Sequence, residues 1–153
     1  MATRRNEQVK AWLWGYRDAV REQRRLSEEL RQLIESQEGP KAIRYDGESG
    51  GGSAEGTDLS ALMVARERLQ SRLESSKLRT TKAFTERSEA IQRLSSGAMR
   101  EVISMRYIQL RDGHATRWTD IAAGIGYSEQ YVLDLHGRAL DELSKILENE
   151  RPE

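Results

Sequence analysis

The sequence predicts an all-α protein: a long helical hairpin of coiled-coil type, followed by a three-helix domain that ends in a helix-turn-helix. Three observations predict it. One third of the 153 residues are charged and 37% are hydrophobic, a balance suited to long solvated helices rather than a thick core. A seam in steps of four and three runs through the first 37 positions. The stretch WTDIAAGIGYSEQYVLDLHGRALDEL, 118–143, reads as two helices around a tight turn.

The first helix covers residues 1–37. Val9, Leu13, Tyr16, Val20, Gln23, Ser27, Leu30 and Ile34 form its heptad seam, with two polar interruptions, and Trp12, Leu26 and Leu33 broaden it. Such a helix is roughly 50 Å long. Residues 38–56 hold six of the 12 glycines and one of the two prolines. The run GESGGGSAEG marks them as a flexible linker. A second long helix is predicted over 57–96, capped by Thr57 or Asp58 and ending near Leu94. Its stripe of Leu59, Leu62, Met63, Leu69, Leu73, Phe84, Ile91 and Leu94 is patchy, and Thr80, Thr81 and several serines weaken it. A helix this polar does not stand alone. It is expected to fold back on the first as an antiparallel hairpin, completed by a second subunit in a homo-oligomer, most simply a dimer.

Ser95, Ser96 and Gly97 break the second helix, and the domain 97–148 begins there. A helix from Ala98 to about Leu110 follows, with Met99, Val102, Ile103, Arg106, Tyr107 and Leu110 on one side. RDGHATR, 111–117, is a loop. Thr119 is expected to cap the next helix, in which Ile121, Ala122 and Ile125 share a buried face. Gly126 supplies the reversal, where a positive φ suits only glycine. Ser128 caps the last helix, with Val132, Leu135, Ala139, Leu140 and Leu143 on its inner side. Residues 149–153 are a tail.

Composition narrows the function. There is no cysteine, which excludes a disulfide framework and thiolate metal sites. The chain shows no GxxxxGK[ST] run, no nucleophile elbow and no convincing carboxylate pair, so neither an enzyme nor a bound cofactor or metal is expected. The first twenty residues lack a long apolar core and a small-residue cleavage pattern, and no run is long enough to span a membrane. A cytoplasmic protein is expected. Net charge is zero, but residues 97–153 hold seven Lys/Arg against ten Asp/Glu. The helix-turn-helix therefore sits in the more acidic part of the chain, a handicap for simple electrostatic DNA binding.

The segment MREVISMRYIQL, then a loop, then WTDIAAGIGYSEQYVLDLHGRAL resembles region four of primary sigma factors. More closely it resembles phage-encoded regulators with a sigma-region-four-like C-terminus, the ArpU and RinA type of late-gene activators. Arg106-Tyr107-Ile108, Trp118, Ile121-Ala122, Gly126-Tyr127-Ser128, Leu135-His136 and Ala139-Leu140 carry the likeness. An Arg- and Glu-rich first helix, a Gly-rich linker and an Asp58-Leu59-Ser60 start of the second helix fit the same organisation. The resemblance implies promoter DNA as partner, upstream of phage packaging and lysis genes, and action with host RNA polymerase.

The motif gives a DNA-contact set of Arg117, Thr119, Ser128, Glu129, Gln130, Tyr131, Asp134 and Arg138. Gln130 suits an adenine edge, Arg138 a guanine or phosphate, Tyr131 a phosphate or thymine methyl, and Asp134 a cytosine amine. Arg100, Arg106, Arg111 and Arg117, with a basic arm at Arg4 and Arg5, are the candidates for phosphate neutralisation. Region four carries Arg and Lys where this chain has Glu129, Gln130, Tyr131, Leu133 and Asp134. A second reading is therefore a module that docks on RNA polymerase or a sigma factor. A third is a ring-forming DNA-packaging adaptor. Trp12, Tyr16, Tyr107 and Trp118 are expected in the core, Trp14 at a dimer contact, and His136 as a hydrogen-bonded packing residue, while His114 lies in the loop.

Overall fold

The computed structural model describes residues 2–38 and 52–150, all of them helices and short connections. Helix α1 is Ala2–Glu38, α2 is Gly52–Gln92, α3 is Gly97–Ile103, α4 is Trp118–Ile125 and α5 is Glu129–Glu150. The chain divides into two compact units, one made of Met1–Arg21 and Thr80–Glu153, the other of Glu22–Arg79.

The solvent side of α1 is laced by pairs one turn apart, such as Arg25–Glu29 at 2.7 Å and Lys10–Glu7 at 3.0 Å. Each adds roughly 0.2–0.5 kcal/mol to the helix. Its seam differs from the heptad reading at one place: Leu26 is buried and Ser27 exposed. A leucine outcompetes a serine for the inner side, and the seam takes a step of six in place of seven. Helix α2 starts at Gly52, ahead of the predicted Thr57 or Asp58, so residues 52–56 of the expected linker are helical. Residues 39–51 of that linker, and 151–153 of the tail, lie outside the described residues.

Of the stripe the hydropathy suggested, Leu73, Ile91 and Leu94 are buried and Leu62 and Leu69 half-buried. Leu59, Met63 and Phe84 are 55%, 56% and 44% exposed. The covered line is Leu69, Leu73, Ser76, Thr80, Ala83, Arg87 and Ala90, in regular steps of four and three. Among the described residues of the unit Glu22–Arg79 the buried side chains are Leu26, Leu73 and Ser76.

The other unit has two cores. Val9 and Leu13 of α1, Ala90, Ile91 and Leu94, Ile103 and Tyr107, and Ala139, Leu140 and Leu143 of α5 form the larger. Val102, Ile121, Ala122, Val132 and Leu135 form the smaller. Adjacent residues of α3 thus face different cores, and α3 becomes the wedge between them. Helix α4 has eight residues, too few to persist alone. Complete burial of Ile121 holds it, worth roughly 1.5–3 kcal/mol.

The predicted single helix to Leu110 is shorter. After α3, residues Ser104–Ile108 form a π-helical turn, closed by the Gln109 N–H on the Ser104 carbonyl at 2.8 Å. The loop beyond is braced from two sides. Arg21 of α1 donates through Nε to the Gly113 carbonyl at 2.9 Å. Thr116 donates to the Gln109 carbonyl at 3.0 Å, while its own carbonyl accepts from Arg106 at 2.7 Å. Pinned at Thr116, the chain enters α4 early. Its N-cap is Arg117, without a side-chain cap bond, and Thr119 lies inside the helix rather than capping it.

Candidate nucleic-acid interface

The turn between α4 and α5 is built by one residue. Gly126 has φ 87° and ψ 24°, and its N–H and that of Tyr127 both donate to the Ala122 carbonyl, at 2.9 and 3.2 Å. No atom beyond Gly126 and its two chain neighbours lies within 4 Å of the position a Cβ would take, so the glycine serves the backbone conformation rather than space. Ser128 Oγ then accepts the Tyr131 N–H at 3.1 Å, the N-cap the sequence predicted.

With that start fixed, α5 turns its two sides as the periodicity requires. Val132, Leu135, Ala139, Leu140 and Leu143 are at most 3% exposed. Glu129, Gln130, Tyr131, Leu133, Asp134 and Arg138 are exposed. Tyr127 and Tyr131 meet edge to face at 4.9 Å and stay 42% and 40% exposed, beside Leu133 at 44%. Arg138 forms an ion pair with Asp134, one turn before it, at 3.0 Å. Arg117 and Thr119 are exposed at the start of α4.

Two of the arginines expected on phosphate are engaged within the fold. Arg100 donates to the Leu94 carbonyl at 2.5 Å. The Arg106 guanidinium lies over the Trp118 ring at 4.4 Å and the Trp14 ring at 5.4 Å, and burial pulls its pKa below the usual guanidinium range. Arg111 and Arg117 remain exposed, as do Arg4 and Arg5, the latter 3.7 Å from Glu148.

Behind the outer face of α5 lies a closed ring of contacts that the sequence did not reveal. Trp14 packs 4.4 Å from Tyr107, Tyr107 stacks on His136 at 5.7 Å, and His136 meets the edge of Trp118 at 4.7 Å. Arg106 joins Trp118 back to Trp14. Trp14 therefore packs against the core, partly buried, with Arg17 over its ring at 4.3 Å. The Tyr107 hydroxyl and His136 Nε2 are 2.7 Å apart, a hydrogen bond whose donor follows the ring tautomer. Burial raises the Tyr107 hydroxyl above its ordinary range and pushes the His136 imidazole down to about 4. The ring is thus neutral at His136 and stiffens the seat of α5. Its sequence signal was weak: aromatic residues far apart in the chain, with arginines whose partners are carbonyls and ring faces.

Among the described residues no group of three His, Asp or Glu side chains is placed to hold a metal, and no helix is long and apolar enough to cross a membrane. The chain matches no family model, no curated protein and no solved structure.

Proposed function

We propose that the protein is a sequence-specific DNA-binding transcriptional regulator, of the phage late-gene activator kind its residues resemble, acting with host RNA polymerase as a homodimer in the cytoplasm. The observation that carries this reading is the two-sided character of α5. A glycine turn launches the helix from α4, its inner side is sealed into the core, and Gln130, Tyr131, Leu133, Asp134 and Arg138 on its outer side are exposed. A helix held this way fits a helix-turn-helix, whose second helix lies in the major groove. Gln130 and Arg138 are the base-reading groups, each bidentate contact being worth about 1–3 kcal/mol. Arg117 and the Ser128 region are the phosphate contacts. In a dimer, two such helices read half-sites one helical turn apart or a multiple of it.

A second reading is favoured by a specific observation. Tyr127, Tyr131 and Leu133 expose a small apolar patch among acidic neighbours, a composition more usual at protein contacts than on phosphate. In that reading the same face docks on RNA polymerase or a sigma factor. One experiment separates the two: binding of the full chain to tiled duplexes from around its own gene, at two salt concentrations. Saturable, sequence-selective binding that weakens with salt and is lost in Gln130→Ala supports DNA reading. Equal binding to every tile, or none, overturns it, and capture of polymerase then tests the docking reading.

A further inference from the structure

The unit Glu22–Arg79 has an open groove of about 440 Å³ between its two helical segments. Arg72, Arg79, Ser71 and Ser75 of α2 line it, facing Arg25 and Glu22 of α1. Arg25 is already neutralised, by Glu29 at 2.7 Å and Glu22 at 3.5 Å. Arg72 and Arg79 are exposed and form no ion pair among the described residues. The groove therefore holds two uncommitted guanidinium groups, two hydroxyl donors and one carboxylate that is itself occupied.

We propose that this groove binds the phosphodiester backbone of duplex nucleic acid without regard to sequence. Guanidinium forks match phosphate oxygens in a bidentate geometry. Ser71 and Ser75 add hydroxyl donors of the kind that commonly contact phosphate. The line continues at the same spacing to Arg68, which is exposed. Arg68, Arg72, Ser75 and Arg79 thus follow one side of α2 in steps of four, three and four, about 16 Å from end to end. Arg72 and Arg79 are about 10.5 Å apart along the axis, roughly three nucleotide steps of one strand. A row of charge at that pitch fits a linear polyanion, whereas one acidic side chain of a protein partner would occupy one end of it. This inference does not rest on α5 reading bases. It adds phosphate contacts to the few that the acidic stretch 97–153 can offer.

The test is the salt dependence of full-length protein binding to a random-sequence duplex, followed by fluorescence anisotropy between 50 and 200 mM salt. Wild type is compared with R72Q/R79Q, each single Gln variant, R72K/R79K and Q130A. Each phosphate contact contributes about 0.9 to the slope of log affinity on log salt. The double Gln variant is expected to lose about 1.8 of slope, so that its deficit against wild type shrinks about twelvefold across that salt range. Each single variant loses about half, while R72K/R79K and Q130A keep the wild-type slope. Unchanged slopes in both the single and double Gln variants overturn the proposal, as does failure of the wild type to bind at 50 mM salt. Equal affinity for poly-glutamate of matching charge overturns it in favour of an acidic protein partner. A lowered slope without any selectivity among genomic tiles upholds the groove and refutes base reading by α5.

Discussion

Replacing Gly15 with alanine tests how the buried Arg87 is held. Gly15 lies in the middle of α1, where glycine costs about 1 kcal/mol against alanine. The chain accepts that cost because a Cβ there would overlap Arg87 Nη2 and stand 3.3 Å from its Cζ. An arginine end is ordinarily free to swing aside. This one is 8% exposed and held at three points. Its Nε donates to the Trp12 carbonyl at 2.9 Å, its Nη1 donates to the Ala83 carbonyl at 3.2 Å, and its plane covers the Trp12 ring at 4.6 Å. Burial already pulls its pKa below the usual guanidinium range, so loss of a partner is felt.

Moving the group by the required amount breaks at least one charged hydrogen bond, worth about 1.5–3 kcal/mol. Set against the helix gain of about 1 kcal/mol, Gly15→Ala is expected to destabilise the protein by about 0.5–2 kcal/mol. In an Arg87→Met background the obstacle is gone, and the same substitution is expected to stabilise by about 1 kcal/mol. The sign therefore inverts, with a coupling of about 1.5–3 kcal/mol read from urea unfolding of the four proteins. Stabilisation by Gly15→Ala in the wild-type background, equal to that in the Arg87→Met background, would refute the reasoning.

Three further substitutions test other parts of the structure. Gly126→Ala meets no steric obstacle, so its cost is the left-handed backbone alone, about 1–2 kcal/mol; an unchanged thermal midpoint would remove the turn from the argument. His136 titrates at about 4 in the fold against about 6.5 when unfolded, so the unfolded chain takes up the proton first. Its contribution is complete above about pH 6.5 and drains as pH falls toward 4, at up to about 1.4 kcal/mol per pH unit. His136→Gln should flatten that window relative to wild type, and parallel pH profiles would contradict this. Gly137 has open space where a Cβ would stand. Gly137→Ala should therefore raise stability by about 1 kcal/mol while weakening duplex binding if a ligand approaches this face closely; unchanged affinity in the stabilised variant would place the ligand elsewhere.

Helix α5 was legible because three independent signals coincide there: a glycine turn, a serine cap and five apolar residues at helical period. Its exposed residues then follow by exclusion. The covered side of α2 was not legible, because Ser76, Thr80, Ala83 and Arg87 qualify by small size or by hydrogen bonds to carbonyls rather than by hydropathy. Residue type alone marks Thr119 as a cap, while the actual N-cap at Arg117 follows from Thr116, whose bonds to Gln109 and Arg106 reach back across the loop, beyond the range of a local capping signal. The engagement of Arg100 and Arg106 within the fold is hidden for the same reason. Residue type marks a guanidinium as available, and only the fold shows that carbonyls and indole faces have already taken it.

The same distinction decides how Arg138 is read. Its pair with Asp134 joins side chains that are 62% and 51% exposed, so the bond is worth about 0–1 kcal/mol. A bidentate guanine contact is worth about 1–3 kcal/mol, enough to draw Arg138 away. That exchange leaves the Asp134 carboxylate facing the duplex unless it finds a cytosine amine. Asp134→Asn removes the competitor and a negative charge together. Stability should change by no more than about 1 kcal/mol. If α5 lies in the major groove, duplex affinity should rise, with a salt slope about 0.9 steeper if the freed arginine settles on a phosphate. A contact to a base leaves the slope unchanged but alters which tiles bind. Duplex affinity and tile preference that both match the wild type would mean that this face meets no DNA. The exposed tyrosines and Leu133 would then be the surface to carry into a polymerase-binding assay.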